Sequence, residues 1–253
     1  MTRDWDARAY ERIDVPHEDW ANQILDRLPL RGDERVLDAG CGSGRVTRLL
    51  LERLPRGHVV AVDAAPSMVE SARAALDPER TEFHVANLVD LELDEPVDAV
   101  FSSAVFHWIA DHPALFARLH AALRPGGRLT AQCGGAGNIE GFHVHVKAVA
   151  AEQPYAPYFD GWGGPWNYAT PAQTAPRLAA AGFEDVDVWV EQREVTPRQP
   201  QEYARTICLG NHLERLPEEL RDPFVDAVCQ RAGLPLTLHY VRLNIDARKP
   251  EDA

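Results

Sequence analysis

Val36-Leu37-Asp38-Ala39-Gly40-Cys41-Gly42-Ser43-Gly44 is the stretch that decides the fold. An apolar run enters a turn with glycine at every second position, and a helix-forming stretch starts directly after it. Glycine permits the tight dihedrals and removes the Cβ that would hold a ligand away from the backbone. The N–H groups of the helix start then favour a negative group. A dinucleotide fingerprint, G-x-G-x-x-G, would need glycine at position 45, which holds Arg45. The carboxylate of Asp38 also fits poorly beside a pyrophosphate and suits a ligand that carries positive charge. Three glycines exceed what a plain tight turn needs.

Working outward, short apolar runs alternate with helical stretches from Glu34 to Gly135. Arg35-Val36-Leu37 precedes a helix over 46–54, His58 to Val62 precedes one over 67–76, and Phe83-His84-Val85-Ala86 follows. Asp98-Ala99-Val100-Phe101, a helix over 113–123 and Arg128-Leu129-Thr130-Ala131 close the series. Such alternation implies βαβ units and a mostly parallel sheet. Ligands bind such sheets at the carboxyl ends of the strands. Asp63 ends the second run, where an acid can accept hydrogen bonds from ribose hydroxyls. Its alternative use as a helix cap is weakened because Ser67, after Pro66, is better placed for that task. Met68 opens the same helix, as cover for a flat base or as plain core.

Before this core, a helix over 15–28 places Trp20, Ile24, Leu25 and Leu28 on one face. After it, residues 136–184 are rich in Gly, Pro and aromatics. A strand over 186–190, helices near 203–209 and 217–230, and a last strand over 236–247 complete the chain. On that last strand Leu238, Tyr240, Arg242 and Asn244 alternate with His239, Val241, Leu243 and Ile245. The whole reads as one domain over 1–253: an arm (1–30), a core (31–135), an insertion or lid (136–184) and closing strands and helices (185–253).

The glycine segment with Asp63 resembles the class I S-adenosylmethionine-dependent methyltransferases. The resemblance extends through Phe83-His84-Val85-Ala86-Asn87-Leu88, the run from Asp98 to Trp108, and Leu123-Arg124-Pro125-Gly126-Gly127. It implies a Rossmann-like α/β fold: a seven-stranded, mostly parallel sheet with an antiparallel last strand, a helical N-terminal arm and an aromatic-rich insertion. It implies S-adenosyl-L-methionine as cofactor and S-adenosyl-L-homocysteine as product. The cofactor residues it implies are Tyr10, Asp38, Gly40, Gly42, Gly44, Asp63, Ala64, Met68, Asn87, Leu88 and Ser103. Asn87 stands where the family usually has an acid, and an Asn can still accept from the adenine amino group. Within the family the chain is most similar to the trans-aconitate methyltransferase-like group, through Trp5-Asp6, Tyr10, Ala104-Val105-Phe106-His107-Trp108 and Leu216-Pro217-Glu218-Glu219-Leu220-Arg221. The similarity thins across 136–200, so it does not carry the substrate over.

A sulfonium methyl is already activated, so the protein mainly aligns a nucleophile with it and excludes water. His107 is the candidate catalytic residue, as a general base or as a group that positions the loop or the cofactor. Tyr155, Tyr158, Phe159, Trp162, Trp166 and Tyr168 crowd one segment with Gly161, Gly163 and Gly164 between them. They form either a lid over a planar acceptor or a satellite core. Trp108, Tyr158, Trp162 and Trp166 are the candidate substrate-binding residues. Lys147 and Arg177 flank the segment and nothing basic lies inside it, which disfavours a polyanionic acceptor such as a tricarboxylate. His143 and His145 would share a face only on a strand, and their stretch reads as helical, so no metal site is expected.

Charge arithmetic gives 26 basic against 39 acidic residues, a net −13, with 45% hydrophobic residues. That sign repels nucleic acid and anionic membrane surfaces. No run matches a membrane span, the first residues lack the apolar core of a signal peptide, and Cys41, Cys133, Cys208 and Cys229 form no C-x-x-C pair. A cytoplasmic enzyme that methylates a small molecule, at oxygen, is the leading reading. Methylation of a carrier-protein-linked acid and a non-catalytic cofactor-binding sensor or scaffold stay open, and the oligomeric state is not encoded in any motif.

Overall fold

The computed structural model describes residues 17–252. Seven strands form one sheet: β1 (Arg35–Ala39), β2 (His58–Asp63), β3 (Thr81–Val85), β4 (Val97–Ser103), β5 (Leu123–Gly134), β6 (Glu184–Val195) and β7 (Leu238–Arg248). Their order is β3-β2-β1-β4-β5-β7-β6. Pairing is parallel from β3 through β5, and β7 runs antiparallel to both β5 and β6. The order turns back between β1 and β4, and ligand crevices form at such a switch point.

Both faces of the parallel part are covered, so its strands are near-continuous apolar runs rather than alternating ones. One face packs Val36, Val59, Ala61 and Phe101 against α1 (His17–Leu25), α2 (Arg45–Arg53) and α3 (Pro66–Ala75), through Ile24, Leu25, Leu50 and Ala72. The other packs Leu37, Val60, Val62 and Val100 against Leu115, Phe116 and Leu119 of α4 (His112–Ala122) and Leu178 of α7 (Pro171–Ala180). Asp111 starts α4 by accepting from the Ala114 N–H at 3.0 Å, and Thr170 with Gln173 forms a capping box on α7. Between Leu123 and Arg128 the loop through Pro125-Gly126-Gly127 interrupts the β4–β5 register, Leu123 pairing with Val97 and Arg128 with Ala99.

Two polar residues of β7 lie in the interior. Asn244 is fully buried and Arg242 nearly so. Gln132 Nε2 donates to Asn244 Oδ1 at 2.7 Å and Arg242 Nε to Gln132 Oε1 at 3.0 Å. Arg27, just past α1, donates to Asn244 Oδ1 at 2.9 Å and to Asp246 at 3.2 Å. The Arg242 guanidinium lies 4.4 Å from the Trp20 ring centroid. This polar ladder ties Arg27 to β5 and β7, alongside the apolar packing of Ile24 and Leu25 on the sheet.

The expected single insertion is two. Residues 135–183 cross from β5 to β6 and carry α5 (Glu140–Ala150), α6 (Ala156–Phe159) and α7. Residues 196–237 cross from β6 to β7 and carry α8 (Pro200–Tyr203), α9 (Gly210–Arg215) and α10 (Glu218–Ala232). The two pack together as a separate apolar cluster with Phe142, Val146, Tyr155, Leu213, Phe224 and Val228. The helical piece expected near 203–209 is present, as α8 running into a π-helical turn over 204–208 in which the Leu209 N–H reaches back to Ala204 O at 2.8 Å.

Candidate functional site

The glycine loop bends between β1 and α2 with three left-handed glycines: Gly40 (φ 90°), Gly42 (φ 53°) and Gly44 (φ 87°). Gly40 is required by contact, because a Cβ there would lie 2.2 Å from Cγ2 of Val105. Gly42 is different: a Cβ there would meet nothing within 4 Å. The second glycine therefore borders open space, where a ligand can approach backbone. Asp63, at the tip of β2, accepts the Gly42 N–H at 3.0 Å on one oxygen and the Ala65 N–H at 2.9 Å on the other. Each oxygen keeps a further lone pair for a hydroxyl donor.

The expectation that Ser67 caps α3 is corrected here. The helix is entered from Ala65 with no side-chain cap, and Asp63 takes the Ala65 N–H, so Ser67 falls inside the first turn. Asp63 does local backbone work as well as facing the loop. Asp38 is buried and accepts the Thr47 hydroxyl at 2.7 Å. Burial, with the negative charge of Asp63 adding to it, pushes the Asp38 carboxyl up to about 7. Two carboxylates beside one open glycine loop suit a cationic ligand with vicinal hydroxyls, which the residues expected for S-adenosylmethionine would hold.

Met68 is buried on the inner face of α3, and Leu88 is buried in a short 3-10 turn after β3. Asn87 is exposed, and its Oδ1 accepts the Val89 N–H at 3.3 Å, so part of its acceptor capacity caps that turn. Ala64 and Ser103 are half-buried at the ends of β2 and β4. Just past β4, Ala104 holds a left-handed φ of 62°, and its N–H donates to Gln132 O at 2.7 Å. Strain of this kind in a non-glycine residue persists where surrounding structure enforces it, often at sites. Tyr10, Trp5 and Asp6 lie outside the described residues.

The strained turn delivers His107, which is buried. Its Nδ1 accepts the backbone N–H of Gly134 at 3.1 Å. A neutral ring that accepts at Nδ1 carries its proton at Nε2. His107 stacks on Tyr168 (5.7 Å, 27°). Tyr168, Trp166 and His143 then lie as three nearly parallel rings: Trp166 to Tyr168 is 5.6 Å and 10°, His143 to Trp166 is 4.5 Å and 23°. Trp108 approaches Trp166 at 6.0 Å.

This stack of rings bounds a cavity of about 720 Å³ between α5, the segment 156–166 and α9. Phe159, Trp162, Trp166, Tyr168, His143 and His212 line it, but Asp38, Gly42 and Asp63 do not. Tyr168, shared by the His107 stack and the cavity, joins the two regions. Tyr158 departs from expectation: its ring is 38% exposed and outside the cavity, because one helical turn of α6 aims Pro157 and Phe159 inward and Tyr158 out. Tyr155 is core, packed 5.1 Å from Phe224. The aromatic segment is thus satellite core at its start and cavity wall at Trp162 and Trp166.

Two lining residues were not expected in a binding role. His143 lies on the buried face of α5 with Phe142 and Val146, a position that helical spacing from those residues does mark. His212 had no comparable signal, since α9 is six residues long. Burial pushes His143 down to about 4 and His212 to about 3, the latter with help from His143 and Arg215, so both rings are neutral at pH 7.

A family model described as a methyltransferase domain matches residues 36–127. A trans-aconitate 2-methyltransferase of Azoarcus is 40% identical over 88% of this chain and 87% of its own. One of Methylobacterium radiotolerans is 34% identical over 88% and 87%. Among solved structures, Haemonchus contortus phosphoethanolamine N-methyltransferase 2 in complex with S-adenosyl-L-methionine superposes with a TM-score of 0.63 at 22% identity, over 96% of this chain and 56% of that one. The YcgJ protein of Bacillus subtilis gives 0.65 at 17% identity, over 93% and 100%. At those identities the structures speak for the fold alone.

Proposed function

From the premise that the chain belongs to the class I S-adenosylmethionine-dependent methyltransferases, in the trans-aconitate methyltransferase-like group, we propose that it methylates an oxygen of a small-molecule acceptor by in-line displacement in a closed pocket. The observation that carries this reading is Tyr168, which stacks on His107 beside the strained turn and also lines the 720 Å³ cavity. Cofactor loop and acceptor cavity are thereby neighbours. When bound, S-adenosylmethionine supplies a methyl group activated by its sulfonium charge.

The chain's own residues then have three tasks. Asp63 accepts the ribose hydroxyls, while Gly42 leaves room for the ligand against backbone. Asp38 provides negative charge for the cationic half, and Ala64, Met68, Asn87, Leu88 and Ser103 complete the cofactor cleft. Buried Met68 acts as support beneath it. His107 positions: with Gly134 N–H on Nδ1, its Nε2 is a donor, and a base would need a lone pair there. Trp162 and Trp166 wall the acceptor and exclude water, while Trp108, expected there too, lies outside the lining and backs Trp166 at 6.0 Å. Alignment of this kind supplies roughly 7–11 kcal/mol of barrier reduction without a dedicated base.

The oxygen assignment is supported by the neutral imidazoles of His143 and His212, which suit a hydroxyl or carboxyl group. Trans-aconitate, for which the two relatives are named, is a tricarboxylate. The charged lining residues here are Glu140, Lys147 and Asp160, with Lys147 paired to Glu140 at 3.5 Å, so no excess positive charge awaits it. The test is transfer of isotopically labelled methyl from S-adenosylmethionine to trans-aconitate and to a metabolite extract, with the product mapped by mass spectrometry. Label on nitrogen or carbon, or bound cofactor with no transfer at all, would overturn the reading.

A further inference from the structure

Buried polar atoms are nearly always hydrogen-bonded, yet two on this cavity's walls are not. Among the described residues, Nε2 of His143 and Nδ1 of His212 are buried and have no hydrogen-bond partner. They come from different crossovers, α5 and α9, and both rings approach Trp166, at 4.5 and 5.7 Å. His212 also meets Trp162 edge-on at 4.8 Å. Phe224 packs beneath it at 6.1 Å and 22°. The rings of His143, Trp166 and Tyr168 are stacked and nearly parallel, with interplanar angles of 10–23°.

We propose that this cavity is the acceptor subsite and that His143 and His212 are its recognition pair, holding by hydrogen bonds an uncharged planar acceptor whose ring hydroxyl or carbonyl they meet while its face lies along the Trp166 wall. The inference rests on the methyl-transfer reading of the same site and adds the acceptor class and two specificity-determining residues. A neutral imidazole offers one donor and one acceptor, so the pair matches a ring hydroxyl or carbonyl but offers no formal charge to a carboxylate. The cavity volume lies within the roughly 300–1,000 Å³ usual for small-ligand pockets. Arg215 is not among the lining residues: it lies 5.0 Å from the Trp162 ring centroid and donates to Tyr158 O at 2.9 Å.

The experiment is calorimetric titration of the full chain, saturated with S-adenosylhomocysteine, with 2-naphthol, 7-hydroxycoumarin, 4-hydroxyquinoline and trans-aconitate. At least one ring compound should bind tenfold or more tightly than trans-aconitate. His143→Phe and His212→Phe, which keep a flat ring and lose the hydrogen bond, should each weaken that binding tenfold or more. Affinity for S-adenosylhomocysteine should not change, and melting temperature should stay level or rise. His143→Gln and His212→Gln should retain part of the affinity, and they serve if a Phe variant fails to fold. Tighter binding of trans-aconitate, no binding by any ring compound at millimolar concentration, or Phe variants that bind like the wild type would overturn the proposal. None of these readouts needs methyl transfer, so their failure leaves the transfer reading standing. A chain that binds the rings yet transfers no label fails that reading alone.

Discussion

Val105 fills the space that a side chain on Gly40 would need, with Cγ2 only 2.2 Å from the position of a Cβ. The glycine loop and the turn after β4 are therefore one packed unit. Gly40→Ala meets both this clash and the positive φ, and should cost about 3 kcal/mol or more of stability. Val105→Ala in the same chain should recover only part of the packing share, because Cβ of residue 105 stays 2.9 Å away and the φ of 90° is untouched. Denaturant melts of the two single variants and the double variant check this. Equal stability of Gly40→Ala and wild type would refute the contact.

Asp63→Ala should weaken S-adenosylmethionine binding by about tenfold or more, the scale of hydrogen bonds to a charged group. Since Asp63 also takes the N–H groups of Gly42 and Ala65, a modest drop in melting temperature should accompany it. Asp63→Asn, which keeps one acceptor oxygen, should lie between the two. Calorimetry separates the outcomes, and an unchanged dissociation constant would reduce Asp63 to a backbone brace.

Asp38 predicts a pH dependence. Burial raises its carboxyl to about 7, and a cationic ligand favours the ionised form. Affinity for S-adenosylmethionine should therefore rise with pH, by up to about tenfold per unit below 7, and level off above it. Stability of the free protein runs the other way. The folded state holds a proton that the unfolded state has already released between about 4 and 7, so Asp38's contribution is lost as pH rises through that window. Asp38→Asn should flatten both profiles. Binding curves and melts at pH 5.5, 7 and 8.5 provide the check.

His107→Ala should leave turnover at saturating substrates within about tenfold of wild type, where loss of a general base would cost roughly 10²–10⁴. Cofactor affinity should fall, because the ring packs on Tyr168 and takes the Gly134 N–H. A collapse of kcat with normal cofactor affinity would make His107 the base after all.

Trp162→Ala with Trp166→Ala should raise the acceptor KM while S-adenosylhomocysteine binding is retained. Both residues are half-buried and line the cavity, in contrast to Tyr155, whose ring is buried core. A large loss of melting temperature with a normal KM would place them with Tyr155.

The sheet from β1 to β5 was legible because largely apolar runs alternate with helical stretches and the turns between carry their own punctuation, most plainly at Gly40, Gly42 and Gly44. Asp63 could be read for the same reason: it ends an apolar run. The cavity could not. Its far wall comes from His212, which lies 69 positions after His143 (212 minus 143) on a helix too short for periodicity to register. Tyr158 was misplaced because composition marks an aromatic segment but not which way a single turn of helix faces. Asn244 and Arg242 looked like an ordinary alternating strand, and only the partners across β5 and from Arg27 explain why such polar residues are buried.

The co-packing of the two crossovers bears on how this scaffold can be re-engineered. The roof above the cavity is assembled from chain on both sides of β6, with Tyr155 and Phe159 clasped against Phe224 at 5.1 and 5.4 Å. A graft of residues 135–183 alone from a homologue would strand an apolar surface on α10. Exchange of acceptor preference between homologues therefore calls for transplanting 135–183 and 196–237 as a matched set, while the strands, the glycine loop and Asp63 stay in place as a common chassis.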